Sequence, residues 1–471
     1  MPHRSLALSI EREEALDHGL DLLRASWRDF DQARPLQPPV SRAALGLDDA
    51  LPEDGAGVVA ALDAAAVVLD QSLAQSRPRF FAYVGSSGLE SAVLADAMAN
   101  SFDTNLAGES GAAREIELQT LRWVGELVGY PAAGGAFTSG GMVSTLTALV
   151  CARTRALPRS REDGVIGTPG AFYTGVEGHS SIERAVEVLG FGQRALRSIP
   201  LDEHRRMRID LLREAIAADV AAGITPIAIV ASAGTTLTGA VDDLAAAADV
   251  AAEFGVWLHV DGAYGLAAAA TERARPLFAG LERADSASID AHKWLFVPKA
   301  CGVLLVRDAS RLPEAFAHEA SYLVQDEGAP IHPVETTLEY SRPFRPLKLW
   351  TALRAHGAGA FREAIDKDLV LARELEALVR QVPTMELHEP VSPLSVVSFR
   401  RVPAHGDVDR HNVRLAAAMQ EDGRTFIASA AIDGQMWLRA CLVNFRTTSA
   451  DIRALVQVAD EIGRRLEAES R

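Results

Sequence analysis

The sequence predicts an α/β protein: a mostly parallel sheet with flanking helices, preceded by a helical segment and followed by a small α/β domain. Three observations carry this reading. In the middle of the chain PIAIVASAGTT, DDLAAAADVAAEFG and VWLHVDGAYG run as strand, helix, strand, the pattern of a crossover between parallel strands. After a helical stretch from Pro346 to Val379, the runs SPLSVVSFR, VDRHNVRLAAAMQEDG, QMWLRACLV and SADIRALVQVADEIGRRL alternate strand and helix again. The length, 471 residues, exceeds what one core usually organises. The expected units are 1–77, 78–345 and 346–471.

The first unit is helical. Leu16, Leu20, Leu23, Trp27 and Phe30 recur at spacings of four and three, drawing an apolar stripe along one helix. Such a stripe needs a partner surface, and both the chain's own body and a second copy satisfy the pattern. A second helix, GVVAALDAAAVVLDQSL, follows a Pro-rich stretch. In the middle unit SASID and CGVLLVRD add two further strands. Parallel sheets are covered on both faces and gather ligands beyond the carboxyl ends of their strands, so functional residues are expected just after each strand.

Composition removes several functions. The formal charge of −16, with no basic cluster, argues against a nucleic-acid or anionic-membrane partner. The opening MPHRSLALSIEREEALDHG places charges where a signal peptide needs an apolar core, and no later run approaches a membrane span, so a cytoplasmic location is expected. Cys151, Cys301 and Cys441 lie far apart without a CxxC pair, which favours packed thiols over disulfides or a metal site.

Within SIDAHKWLFVPKACGVLLV a charged side chain, Lys293, interrupts a segment otherwise suited to burial. Lysine is seldom buried unless its amine has a partner or a task. Asp261 closes the strand VWLHVD, 32 residues earlier, and presents a carboxylate where a doubly wound sheet binds ligands; capping a turn is the plainer role for it. Upstream, GGAFTSGGMVSTLTALVCART passes from a Gly-rich turn into a helix whose first N–H groups suit an anion. His179 precedes a helix whose expected cap is Ser180 or Ser181, and Thr235 and Thr236 follow the strand PIAIVAS. A lysine amine, a ring-protonating acid, a flat imidazole and a helix terminus for phosphate together describe one cofactor, pyridoxal phosphate (PLP).

The motifs FFAY, TSGG, GHSSIERA, AGTT, WLHVDGAYG, DAHKWL and RPLKLW agree in order and spacing with a known family over most of the chain, from RPRFFAY to NFRTTSADI. The sequence resembles the PLP-dependent amino-acid decarboxylases of the aromatic-amino-acid, histidine and glutamate decarboxylase group. The resemblance implies an aspartate-aminotransferase-type (fold type I) architecture and a lyase of amino-acid, hence carboxylic-acid, metabolism. It implies that Lys293 forms the Schiff base, that Asp261 partners the pyridinium nitrogen, and that His179 stacks on the ring. Ala263 matches the small residue beside the ring and Thr236 a cofactor-contacting threonine. Gly141, Met142 and Asp290 fall on phosphate-anchoring positions, and His292 of the HKW motif on a cofactor-binding one.

Two departures stand out. Met142 occupies a position where relatives commonly carry a hydroxyl or polar residue, which shifts the anchoring to main chain, Ser139 or Ser144. The stretch VQDEGAPIHPVETTLEYSRPFRP, where the family carries a mobile loop with a proton-donating tyrosine, offers His332 at its middle and Tyr340 near its end. His332 is taken as the proton donor, with Tyr340 or water as competitors. Other PLP reactions on the same fold, such as an aldehyde-forming decarboxylation, an aminotransferase or another lyase, are the main rivals; a non-catalytic homologue is the other. Positions matching the family's side-chain pocket read Phe102, Asp103, Thr104 and Asn105, a polar set, although Asp103 is expected to serve as a loop or cap residue. Arg446 is expected to pair within the C-terminal domain. The resemblance further implies a homodimer that exchanges its N-terminal helices.

Overall fold

The apolar stripe and the alanine-rich run near the N-terminus form helices α1 (Arg12–Phe30) and α2 (Val58–Asp70). The structure, a computed structural model, describes residue 8 and residues 11–30, 41–43, 45–108, 110–318 and 332–469. The two helices pack on each other, with His18 Nε2 2.7 Å from Asp63. Of the α1 residues only Ala15 is buried; Leu16 is 55% exposed, and Val67, Val68 and Leu69 of α2 are also exposed. The single chain therefore leaves Leu16 exposed and covers Leu20, Leu23, Trp27 and Phe30 only in part.

The middle of the chain runs α3 (Glu90–Phe102), α4 (Ala112–Val128), β1 (Gly134–Thr138), α5 (Gly141–Ala156), α6 (Ser160–Asp163), β2 (Gly170–Gly175), α7 (Ser180–Val188), β3 (Leu196–Ile199), α8 (Ile209–Ala221), β4 (Thr225–Ser232), α9 (Leu244–Phe254), β5 (Trp257–Asp261), β6 (Ser286–Asp290), β7 (Gly302–Val306) and α10 (Arg311–Phe316). The strands form one sheet in the order β1-β7-β6-β5-β4-β2-β3. Only β7 runs against its neighbours. The strands are nearly continuous apolar runs because both faces are covered. Leu121, Leu212, Leu244 and Leu258 belong to one core, and Leu149, Ile182, Trp257 and Leu312 to the other. Residues 134–138, read above as a Gly-rich turn, are strand β1. Gly135 is required there by close approach, since a Cβ would run into the Leu304 carbonyl of β7.

Pro346 starts the long helix α11 (Pro346–Gln381), as the sequence predicts, but Gly357 (φ 74°, ψ 156°) interrupts it. Its second half enters the small-domain core, where Leu371, Leu375 and Val379 meet Phe399 and Leu415. The remainder comprises β8 (Met385–Leu387), β9 (Val396–Arg401), α12 (Val408–Asp422), β10 (Ala428–Ile432), β11 (Gln435–Cys441) and α13 (Ser449–Glu469). These four strands form an antiparallel sheet, β10-β11-β9-β8. Sequence reasoning found two of the four. It missed β8, which is three residues long, and β10, whose alanine-rich ASAAI lacks a clear alternation.

The FFAY segment belongs with this small sheet. Phe81 donates its N–H to Phe426 O and accepts from Cys441 N–H, each at 2.8 Å, while Phe80 stacks on Phe426 at 5.2 Å. All three cysteines are buried free thiols. Among the described residues no helix is long and apolar enough to cross a membrane.

Candidate active site

Strand register assembles the site. Ser232, Asp261 and Ser288 stand side by side on β4, β5 and β6, and Thr138, Gly302 and Asp290 do so on β1, β7 and β6. A cavity of about 260 Å³ opens at these ends, lined by Gly141, Met142, His179, Thr236, Asp261, Ala263, Asp290, His292 and Lys293, each assigned above to cofactor binding.

Lys293 lies in the turn after β6, its N–H bonded to Asp290 O at 2.9 Å. Its stem crosses buried surroundings, its side chain stays 21% exposed, and Nζ lies 3.0 Å from Asp290 Oδ2. The charge in an apolar segment is thus explained by a carboxylate partner and an opening into the cavity. Asp261 is buried, and its Oδ1 accepts from Ala263 N–H at 3.2 Å and Ser288 Oγ at 3.3 Å. Those two bonds fix the carboxylate's plane.

The first turn of α5 forms another wall. The Val143 and Ser144 N–H groups bond the Gly140 carbonyl at 2.9 and 3.0 Å, whereas those of Gly141 and Met142 have no carbonyl one turn back and remain available to an anion. Gly141 permits a close approach: a Cβ there would lie 2.8 Å from Ala263 Cβ and 3.1 Å from Asp290 Oδ2. Asp290 Oδ1 is buried without a hydrogen-bond partner among the described residues. The main chain of Gly141 and Met142 offers the N–H donors a phosphate needs. Ser139 lines the cavity, whereas Ser144 is buried 2.8 Å from Thr138 Oγ1 and does not. The expected share of Ser144 in anchoring is therefore corrected: its hydroxyl is committed to the strand behind it.

His179 is itself the N-cap of α7. Its Nδ1 lies 3.2 Å from Ser181 N and 2.8 Å from Ser181 Oγ, so the expectation of a serine cap is overturned. An imidazole nitrogen can accept the orphan N–H as a serine hydroxyl does, and doing so locks the ring's orientation. Thr235 caps no helix. It bonds Glu177, Thr238 and the Ala240 N–H, bracing the turn that carries Thr236. His292 accepts the Cys301 N–H at 3.2 Å, and burial pushes its ring below the usual imidazole range, so it is held neutral.

Sequence reasoning passed over Ser232, Gly234 and Tyr264, which also line the cavity. Their signal was present, since each stands at or just beyond a strand's carboxyl end. Other predicted residues are not brought in. His332 caps a short 3-10 turn at 333–336, in a reciprocal pair with Glu335, and does not line the cavity of its own chain. Tyr340 is half exposed. Phe102 and Asp103 end α3 at the surface; Asp103 is its left-handed C-cap (φ 48°), the cap role expected of it. Arg446 pairs with Glu90 of α3 and the Ser87 carbonyl. The expected partner within the C-terminal domain is therefore corrected to one across the boundary, which the chain's return past α3 makes reachable.

The cavity fits PLP by the chemistry of its donors: one lysine amine, one fixed carboxylate, one oriented imidazole and an uncapped helix start. Comparison with known proteins gives the same direction. Residues 41–402 match the pyridoxal-dependent decarboxylase conserved domain. The chain is 34% identical over 395 residues to an aromatic-L-amino-acid decarboxylase of Bacillus atrophaeus, covering 82% of this chain and 81% of that one. It is 33% identical over 429 residues to an L-2,4-diaminobutyrate decarboxylase of Rhizobium meliloti (strain 1021), covering 89% and 85%. The crystal structure of Oryza sativa TDC with PLP and tryptamine matches with a TM-score of 0.91 at 28% identity, covering 99% of this chain and 100% of that one.

Proposed function

Because this chain belongs to the pyridoxal-dependent decarboxylase family, we propose that it converts an L-amino acid to the corresponding amine and carbon dioxide. It is a PLP-dependent carboxy-lyase acting on an amino acid. When bound, PLP supplies an aldehyde that condenses with amines and an electron-poor ring that accepts the electron pair left by departing carbon dioxide.

The protein's own residues do the rest. Lys293 is the amine that would hold the aldehyde, and Asp290, 3.0 Å away, is the partner for that amine when it is free. Asp261 would sit against the ring nitrogen and favour its protonated form, since a nearby carboxylate stabilises the positive charge. The first turn of α5 would take the phosphate through the N–H groups of Gly141 and Met142. His179, fixed by Ser181, would cover one ring face, with Ala263 and Thr236 bounding the other sides. The observation that carries this reading is the convergence of Lys293, Asp261, His179 and the start of α5 on one cavity.

The finer points are further proposals. His332 returns the proton to the substrate carbon, and since it stands outside the cavity of its own chain, it would act across a homodimer. The partly covered stripe on α1 and the exposed Leu16, Val67, Val68 and Leu69 support that dimer. The three free thiols support a cytoplasmic setting. An aldehyde product, formed when oxygen intercepts the reaction before reprotonation, is the second reading.

Incubating the holoenzyme with a panel of L-amino acids and measuring carbon dioxide, amine and aldehyde tests both. Carbon dioxide with stoichiometric amine supports the first reading, and aldehyde with ammonia and hydrogen peroxide supports the second. The variant His332→Phe should shift product from amine toward aldehyde; an unchanged amine yield removes His332 from the donor role.

A further inference from the structure

Lys293 is followed by Trp294, which is fully buried. Its indole N–H donates to Asp368 Oδ2 at 2.9 Å, across 74 residues of sequence. Asp368 sits on α11 beyond the break at Gly357, also fully buried, and its second oxygen has no hydrogen-bond partner among the described residues. On its other side the indole stacks on Tyr264 at 5.3 Å with the planes 16° apart. Tyr264 lines the cavity two residues after Gly262 and next to Ala263. Its hydroxyl is held in turn by Ser395, with Oγ at 2.8 Å and N–H at 3.1 Å.

The two segments that bring Lys293 and Asp261 to the cavity are thus joined by a pair of stacked rings. Both rings carry their polar ends away to residues of the C-terminal part of the chain. A buried carboxylate with only one neutral donor is costly, and a core of this packing accommodates an apolar residue more easily. Its presence at this buried position calls for a reason that packing does not supply.

We propose that Asp368 is a positioning residue for Lys293: through the Trp294 indole it sets the orientation of the turn that presents the lysine amine to the cofactor. The inference rests on the PLP reading of the cavity. Neither Asp368 nor Trp294 lines the cavity, so both stand behind its wall. Their effect passes through the backbone between positions 293 and 294.

The test compares Asp368→Ala, Asp368→Asn and Trp294→Phe as reconstituted holoenzymes. The readouts are the visible circular dichroism of bound PLP, which reports a fixed ring in an asymmetric site, and the rate of PLP loss to a scavenger. Asp368→Ala and Trp294→Phe should each weaken the dichroic band and speed PLP loss about tenfold, the equivalent of one buried hydrogen bond. Asp368→Asn keeps an acceptor for the indole and should stay within about twofold of wild type on both readouts.

Met419→Ala, in the small-domain core away from the cavity, controls for loss of stability alone and should leave both readouts unchanged. The proposal is overturned if Trp294→Phe holds PLP with wild-type dichroism and off-rate. It is equally overturned if Met419→Ala, at a comparable melting temperature, loses the signal to the same degree. If Asp368→Ala does not fold, Trp294→Phe decides alone. Wild-type protein that binds no PLP would instead remove the reading of the cavity on which the inference stands.

Discussion

Asp261 and His259 lie two positions apart on β5 and so share one face of the sheet, yet their surroundings give them opposite tasks. Asp261 meets the cavity with its plane fixed by Ser288 and the Ala263 N–H. In the proposed role, replacing it with alanine would remove the carboxylate that favours a protonated, electron-poor cofactor ring. We expect kcat/KM to fall about a thousandfold, ~4 kcal/mol in the barrier, with PLP still attached to Lys293. A variant within tenfold of wild type would take that role from it. His259 lies deeper, 2.9 Å from Ser286 Oγ and 3.3 Å from Thr145 Oγ1. Burial pushes its ring down to about 4, partly opposed by the Asp261 charge. Between that value and the unfolded value of ~6.5 the unfolded chain binds the extra proton, so this contribution to stability is complete above pH ~6.5 and lost as pH falls toward 4. His259→Gln should flatten that part of the stability curve, measured by urea midpoints; parallel curves for wild type and variant would contradict it.

At the scale of single elements, the site depends on how closely α5 approaches its neighbours. Gly141 opens the helix against Ala263 and Asp290, with no room for a side chain. Gly141→Ala should push the first turn off those residues and weaken PLP binding at least about tenfold, since overpacking of this kind costs ~1–3 kcal/mol. Equilibrium dialysis checks it, and unchanged affinity would mean that the phosphate does not use this turn. The start of α5 was legible as Gly-rich turn followed by apolar helix. Its strand was not, because Gly134 and Gly135 lack strand propensity and accommodate the close approach of Ala309 and of the Leu304 carbonyl on β7. His179 as a cap was likewise hidden, since histidine is not among the usual capping residues and only the folded loop brings Nδ1 to Ser181.

At the scale of the molecule, α1 and α2 present apolar residues that the chain itself does not bury. A monomer keeping Leu16, Val67, Val68 and Leu69 in water would be unusual, and a second copy is the proposed cover. Trp27→Asp should shift the protein to a monomer in sedimentation equilibrium and lower activity at least about tenfold, if the partner contributes a group to the site. A fully active monomer would sink both ideas. The sequence by itself determined the parallel α/β core and the lysine, aspartate and imidazole of the site. Strand periodicity and strand-end position are local properties, readable from neighbours in the chain. Only the tertiary structure decided that Ser144 turns to Thr138, that Arg446 reaches Glu90 on α3, and that Trp294 finds Asp368. Those pairings depend on sheet register and on the path of α11 beyond Gly357, and contacts between residues so far apart in sequence exist only once the elements have packed.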